Sequence, residues 1–403
     1  MVTAPDRSLD HDRAPDLDRM HRERRARLVA EAHHSGLDAV LLLGTAGVAY
    51  AVGAEVPVAD VSLARRRRTA ALVPTDGGMP HVWTFWPDGA PPDLDVDHVH
   101  PGLRLEEDAG AAALVDTVAE LCGSRAALGL DDCTWALRRA FSDRGIVTTD
   151  ARPALTRARA VKTADEVACI RRVQRINELA VDEIAPLVAP GVRGPDLTGA
   201  FLAACTRLGA AGPVVDPIWQ VLPPTLGAGP ASVTGDVVFP LPTTTEPFAD
   251  GDLVWVDTGV ALHGYGSDFG TAFDVGTPHP ARAGQWERQR DVLDAVIAVV
   301  RPGATGLDLT RAARAAEAGR RTPWLRHLYL AHGIGTAPAE SPLIGTDLGD
   351  AADAEIVLEA GNVLVLEPVI WDEGHGGVRS EEILLVTDTG CERLSASGTP
   401  ERT

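Results

Sequence analysis

The chain has no run of about 18 uninterrupted apolar residues, so no segment reads as a membrane-spanning helix. Basic residues are in deficit: 37 Lys and Arg against 57 Asp and Glu, a formal charge of −20. That balance argues against nucleic acid or an anionic membrane as a partner. Cysteine is scarce, and the five present (Cys122, Cys133, Cys169, Cys205, Cys391) are widely spaced with no Cys-x-x-Cys pair. They read as reduced and mostly buried thiols. The stretch from Met1 to Arg27 mixes Asp, His and Arg without an apolar segment, unlike a secretory signal or transit peptide, so a cytoplasmic protein is expected.

What is present is ordinary for a globular protein: 45% hydrophobic and 23% charged residues in a length of 403, enough for two cores. A loose arm is expected over 1–18 and a first α/β domain over 19–155, with strands at Leu37–Gly44 and Thr69–Pro74. The run Arg65-Arg66-Arg67-Arg68 could grip an anion, but reads first as a solvated strand entrance or subunit contact. The second domain is expected over 156–403, opening with a capping box at Thr163-Ala164-Asp165-Glu166. Behind it Val167, Ile170, Val173, Ile176 and Leu179 form an apolar helical stripe. Within this half, Pro190-Gly191-Val192-Arg193-Gly194-Pro195-Asp196-Leu197-Thr198 returns at an offset of 112 as Pro302-Gly303-Ala304-Thr305-Gly306-Leu307-Asp308-Leu309-Thr310. The echo predicts a domain built of two related halves, with a site where they meet.

Two hairpins carry the chemistry. With Leu262 and His263 as a two-residue turn, Asp257 faces Asp268. Centring the second hairpin on Gly374 makes Glu367 face Glu381. Like charges opposed on one sheet face are destabilising, so bound cations are the economical explanation for two such pairs. His332, between Ala331 and Gly333, offers an imidazole. Four carboxylates and one imidazole form a hard donor set that suits two divalent ions such as manganese, iron, cobalt or zinc. Two such ions share a hydroxide nucleophile and polarise a carbonyl, the chemistry of metal-assisted hydrolysis.

The order Asp257…Asp268…His332-Gly-Ile-Gly…Glu367-Pro…Gly-Val-Arg379-x-Glu381 resembles the creatinase/methionine aminopeptidase superfamily, and within it prolidase and aminopeptidase P, the Xaa-Pro peptidases. The resemblance implies an α+β chain with a C-terminal pita-bread fold, a smaller N-terminal creatinase-like domain, two divalent metals (manganese first) and a homodimer. It implies that Asp257 holds one metal, that His332 and Glu367 hold the other, and that Asp268 and Glu381 bridge them. Glu367 would also relay a proton from the nucleophilic water, with Arg379 beside a small-molecule or dipeptide substrate.

The sequence departs from the family around this cage. A histidine expected seven residues after His332 is Ala339, although Glu340 follows as expected. Another, expected about a dozen residues before Asp252, is missing near Pro240. Gly270-Thr271 replaces a Thr-Arg pair. His263, His375 and His327 are nominated as replacements, and Trp219 and Trp371 as walls of an aromatic pocket. The readings that follow are a hydrolase cleaving an amide-like C–N bond, a non-peptidase small-molecule enzyme such as a lyase on the same fold, or a non-catalytic binding module.

Overall fold

A computed structural model of the chain describes residues 14–54, 66–91, 93–225, 243–318 and 330–396. The chain divides into two compact units, one spanning Asp16–Arg159 and the other beginning at Ala160. Among the described residues no helix is long and apolar enough to cross a membrane.

The first unit is a mixed six-stranded sheet in the order β4-β3-β2-β1-β5-β6. Its strands are β1 (Ala39–Leu42), β2 (Ala70–Pro74), β3 (His81–Thr84), β4 (Val99–Pro101), β5 (Leu128–Leu130) and β6 (Thr148–Asp150). Strand side chains alternate between faces. Val40 and Leu42 therefore join one core with residues of α1 (Leu17–His34), α2 (Thr45–Val52) and α5 (Arg152–Ala160). Ala39 and Leu41 join another with α3 (Asp108–Cys122) and α4 (Trp135–Asp143). Coverage on both faces explains the unbroken apolar run over 39–43. Arg68 is ion-paired with Glu106 and Asp132, whereas Arg65 lies outside the described residues. The thiols are less buried than expected: Cys169 and Cys205 are buried, Cys122 and Cys391 half-buried, and Cys133 exposed.

The second unit opens with α6 (Ala164–Ile184), where Thr163 and Glu166 form the reciprocal cap. Ile170, Val173 and Ile176 are buried as the stripe predicts, but Val167 and Leu179 are half-buried, and the polar Gln174, Asn177 and Glu178 are buried as well. There follow α7 (Gly194–Leu208), β7 (Gly212–Val221), β8 (Leu253–Leu262), β9 (Tyr265–Gly266) and β10 (Phe269–Asp274). The next segment repeats the plan with α8 (Arg282–Ile297), α9 (Gly306–Ala316), β11 (Ala331–Gly333), β12 (Glu340–Ile344), α10 (Asp350–Glu355) and β13 (Val363–Leu366). It closes with β14 (Val369–Asp372), β15 (Gly376–Arg379), β16 (Glu382–Val386) and β17 (Cys391–Arg393).

The duplication extends well beyond the nine-residue echo. Gly191 N–H donates to Phe248 O and Gly303 N–H to Leu358 O, both at 2.8 Å. Each glycine sits at positive φ, +88° and +83°. Ala249 N–H donates to Asp252 Oδ2 and Glu359 N–H to Asn362 Oδ1, fixing two equivalent turns. Gly251 N–H meets Val275 O and Gly361 N–H meets Val386 O, both at 2.8 Å. Strands β8 and β13 therefore leave equivalent turns, and Asp257 and Glu367 each lie six residues past the turn glycine.

The second hairpin has the expected register. Val369 faces Arg379 and Leu366 faces Glu382, which leaves Glu367 opposite Glu381 between the strand segments. The first hairpin does not. Leu262 pairs with Tyr265, so the turn is His263-Gly264, and Asp257 faces Gly270 rather than Asp268. His263 has φ 52° and Gly264 φ 78°. A two-residue turn with both residues left-handed takes glycine readily at its second position, whereas a Leu262-His263 turn would force a leucine into positive φ at its first position and offer no glycine. Moving the turn by one residue moves the pairing by two, which preserves the faces. Asp268 thus lies diagonal to Asp257 on the same face, within reach of its side chain.

Candidate metal centre

Five side chains named from the sequence converge. Asp257, Asp268 and Glu381 each bring a carboxylate oxygen to within 4.8 Å of the others. His332 Nε2 lies 3.2 Å from Asp268 Oδ2 and 3.4 Å from Glu367 Oε1. Arg379 joins them, with Nη2 2.6 Å from Asp257 and 2.7 Å from Glu381 and Nη1 3.0 Å from Glu367. Its guanidinium lies over the Trp255 ring at 5.5 Å, which fixes its orientation. Asp268, His332, Glu367, Arg379 and Glu381 are all buried, and Asp257 is half-buried.

The donors fit divalent cations. Two oxygens bound to one ion at about 2.0–2.2 Å are at most about 4.4 Å apart, close to the observed spread. His332 Nδ1 bonds to Gly333 O at 2.8 Å, and a carbonyl can only accept, so this nitrogen carries the proton. Nε2 is then left aimed at two carboxylate oxygens, an arrangement that calls for a cation between them. Glu381 Oε2 is buried without a hydrogen-bond partner among the described residues. Arg379 offsets only one of the four carboxylate charges. Accordingly the Asp268 carboxyl is held well above the usual range by burial and then by Asp257 and Glu367, and that of Glu381 by burial and then by Asp268. Burial opposes the charge on Arg379, but Glu381, Asp257 and Glu367 outweigh it and raise its pKa.

Local sequence explains the convergence. Gly270 occupies in the first hairpin the position that Glu381 holds in the second, and a Cβ there would overlap the Glu381 carboxylate and Arg379. The absent side chain makes room for the other half's ligand. Three buried amides, not singled out by sequence reasoning, hold the backbone. Gln174 Oε1 accepts from Asp268 N–H at 3.1 Å, Asn177 Nδ2 donates to Thr258 O at 2.8 Å and Gln289 Nε2 to Pro368 O at 2.8 Å. Asn177 and Gln289 share the offset of 112 found in the loop echo, which was the signal available in the sequence.

The other nominated residues are not brought to this centre. His263 is exposed at a turn six residues beyond Asp257, about 20 Å along the strand. His375 lies at the far tip of the second hairpin, its ring 4.8 Å from that of His279. Trp219 is fully buried opposite Val256, on the sheet face away from Asp257. Trp371 packs in the main core of the unit. Ala339 is exposed, and Glu340 is paired with Lys162 at 2.8 Å. His327 and Pro240 lie outside the described residues.

A family model for metallopeptidase family M24 matches residues 168–388, more than half of the chain and the segment holding every group of the centre. The chain belongs to metallopeptidase family M24. It is 28% identical over 246 residues to the Xaa-Pro dipeptidase of Pyrococcus furiosus, covering 59% of this chain and 63% of that protein. It is 34% identical over 148 residues to methionine aminopeptidase 1 of Mycobacterium tuberculosis, covering 35% of this chain and 54% of that protein. The matches thus span less than two thirds of these relatives' lengths. In fold, the prolidase of Pyrococcus horikoshii OT3 superposes with a TM-score of 0.72 at 21% identity, covering 93% of this chain and 98% of that one. The X-Pro aminopeptidase of Thermotoga maritima MSB8 gives 0.74 at 20% identity, covering 92% and 96%. The M24 chain therefore has the pita-bread fold preceded by an N-terminal domain, an α+β architecture as expected.

Proposed function

We propose that this M24 chain is a dinuclear metal-dependent hydrolase that cleaves the amide bond of a dipeptide or small amino-acid derivative, Xaa-Pro dipeptides being the first class to try. The observation that carries the reading is the convergence of four carboxylates and His332 Nε2 with a single guanidinium among them, an excess of negative charge that two cations would neutralise. In this reading Asp257, Asp268, His332, Glu367 and Glu381 would hold the two ions between them. Manganese is the first choice, with cobalt, iron or zinc as substitutes. When bound, such a pair would acidify a water and polarise the scissile carbonyl.

The chain's own groups supply the rest. Glu367, with Oε1 beside His332 and Oε2 on Arg379, is placed to take a proton from the attacking water and pass it to the leaving amine. Arg379, held over Trp255, fixes the Glu367 and Asp257 carboxylates and would lie beside the substrate.

A second reading rests on Ala339, an exposed methyl where the resemblance places an imidazole. Losing one charge-stabilising donor typically costs a few kcal/mol of transition-state binding. The same centre could then serve a non-peptide substrate, by hydrolysis or elimination. Purified, metal-loaded protein assayed against Xaa-Pro dipeptides, other dipeptides and small amides separates the two, because hydrolysis incorporates solvent oxygen whereas elimination leaves an alkene. Asp257→Asn removes charge at nearly constant volume and should abolish turnover and weaken metal binding in a folded protein. Wild-type rates in that variant would overturn the ligand assignment.

A further inference from the structure

The first unit carries a second cluster of donor groups, independent of the carboxylate centre. Strands β3 and β4 run parallel with Val82 opposite Val99 and Trp83 opposite His100. Side-chain alternation then gives one face to His81, Trp83 and His100, and His98, the residue before β4, packs against His81 on it. On it, His81 Nδ1 and His100 Nε2 are 3.0 Å apart. The His81 ring stacks on His98 at 4.3 Å between centroids, and Trp83 stacks on His100 at 4.8 Å. His98 Nδ1 bonds to Pro80 O at 3.1 Å, which puts its proton on Nδ1 and leaves Nε2 with a lone pair. A cleft of about 560 Å³ is lined by His33, Asp76, Met79, His81, His98 and Cys122.

Two imidazole nitrogens sharing one proton at this separation are also spaced for one metal ion. With metal–nitrogen bonds of about 2.0–2.1 Å, donors 3.0 Å apart subtend roughly 95° at a common ion. That angle suits tetragonal copper(II) or nickel(II) and is tolerable for zinc. Burial first, and the neighbouring imidazoles second, lower the His81 pKa to about 4 and that of His100 below its ordinary value, so both rings are neutral near pH 7. No deprotonation opposes binding. The stacking against Trp83 and His98 limits ring motion and reduces the entropy lost on capture.

We propose that His81 Nδ1 and His100 Nε2 form a chelating site for a divalent transition ion of the imidazole-preferring class, copper(II) or nickel(II) before zinc. On binding, each ring keeps one proton on its far nitrogen, so a tautomer shift in one ring suffices and none is released. Water would complete the coordination. The site does not depend on the hydrolase reading.

The test uses the full chain with the carboxylate centre silenced by Asp268→Asn and Glu381→Gln, titrated with one equivalent of copper(II) and followed by electron paramagnetic resonance. One bound ion per chain with superhyperfine coupling to two or more nitrogens is expected. His81→Ala or His100→Ala in that background should weaken copper binding at least tenfold and remove one coupled nitrogen. An unchanged spectrum and affinity in both histidine variants, or no bound copper in the silenced chain, overturns the proposal. Should the silenced chain not fold, the otherwise unaltered protein serves. Its carboxylate centre offers copper the single nitrogen of His332, so a two-nitrogen signal must vanish with His81→Ala, and its persistence overturns the proposal equally.

Discussion

Asn177 and Gln289 lie at matching positions on the two duplicated helices, and each donates its carboxamide to the carbonyl of the residue following a carboxylate of the centre: Thr258 after Asp257, Pro368 after Glu367, both at 2.8 Å. Both amides are fully buried. Thr258 Oγ1 returns a hydrogen bond to Asn177 Oδ1 at 2.9 Å, and Gln289 also reaches Ser380 O, next to Glu381, at 3.3 Å. The helices thus hold the strands at the points where the ligands project, and an error there moves the ligands directly.

Asn177→Ala and Gln289→Ala should each lower metal affinity by about 10–100-fold, the usual cost of removing a group that orients a ligand. Each removes a hydrogen bond to a buried carbonyl, costing about 1–3 kcal/mol of stability. Calorimetric metal titration alongside thermal melts measures both. A loss of stability with unchanged metal affinity would reduce the amides to packing.

Arg379→Met removes the only fixed cation, among the described residues, that pairs with Asp257, Glu367 and Glu381. Breaking one partner of a buried ion pair costs about 3–5 kcal/mol. Metal-free protein should therefore melt at a lower temperature than wild type, and added manganese should recover more of the difference than it adds to wild type. Equal metal-induced shifts in the two proteins would contradict the picture of Arg379 and cations sharing one charge-balancing role.

Metal capture should release protons. Asp268 and Glu381 are held well above the usual carboxylate range, so a cation competes there with protons. Affinity should rise with pH, and the binding enthalpy should vary with the ionisation enthalpy of the buffer. A buffer-independent enthalpy between pH 6 and 8 would count against it.

Glu178 gives a separate pH signature. It accepts from Ala396 N–H at 2.7 Å and from Arg175 at 3.1 Å, yet burial dominates and raises its pKa from 4.5 to about 7. A raised folded pKa means that the native state binds the proton more tightly than the unfolded chain. The contribution is full below about 4.5 and is lost as pH rises through 7. Glu178→Gln mimics the protonated form, so its denaturant midpoint should vary less than that of wild type across this window. Parallel pH profiles would assign the slope to other groups.

The order and spacing of Asp257, Asp268, His332, Glu367 and Glu381, the nine-residue echo and the second hairpin's register were legible in the sequence. They depend on local rules: turn glycines, alternation along a strand, and a symmetric apolar pattern on both sides of Gly374. The first hairpin was misread by one residue at its turn, because the choice between Leu262-His263 and His263-Gly264 depends on which residues can take positive φ. Convergence survived because side-chain faces repeat every two residues.

Only the tertiary structure decided which groups surround the cage. His263 and His375 belong to hairpin tips, and Trp219 faces away from Asp257, because a residue's distance from a site follows strand length and sheet face rather than proximity in the chain. Conversely, Gln174, Asn177, Gln289 and Gly270 look like unremarkable helix or strand positions in the sequence. Their roles exist only where the two halves pack, since a buried amide acquires a partner, and a missing Cβ an occupant, from chain segments scores of residues away. The amino-acid order fixed the donors and their spacing, and packing between the halves fixed their distances.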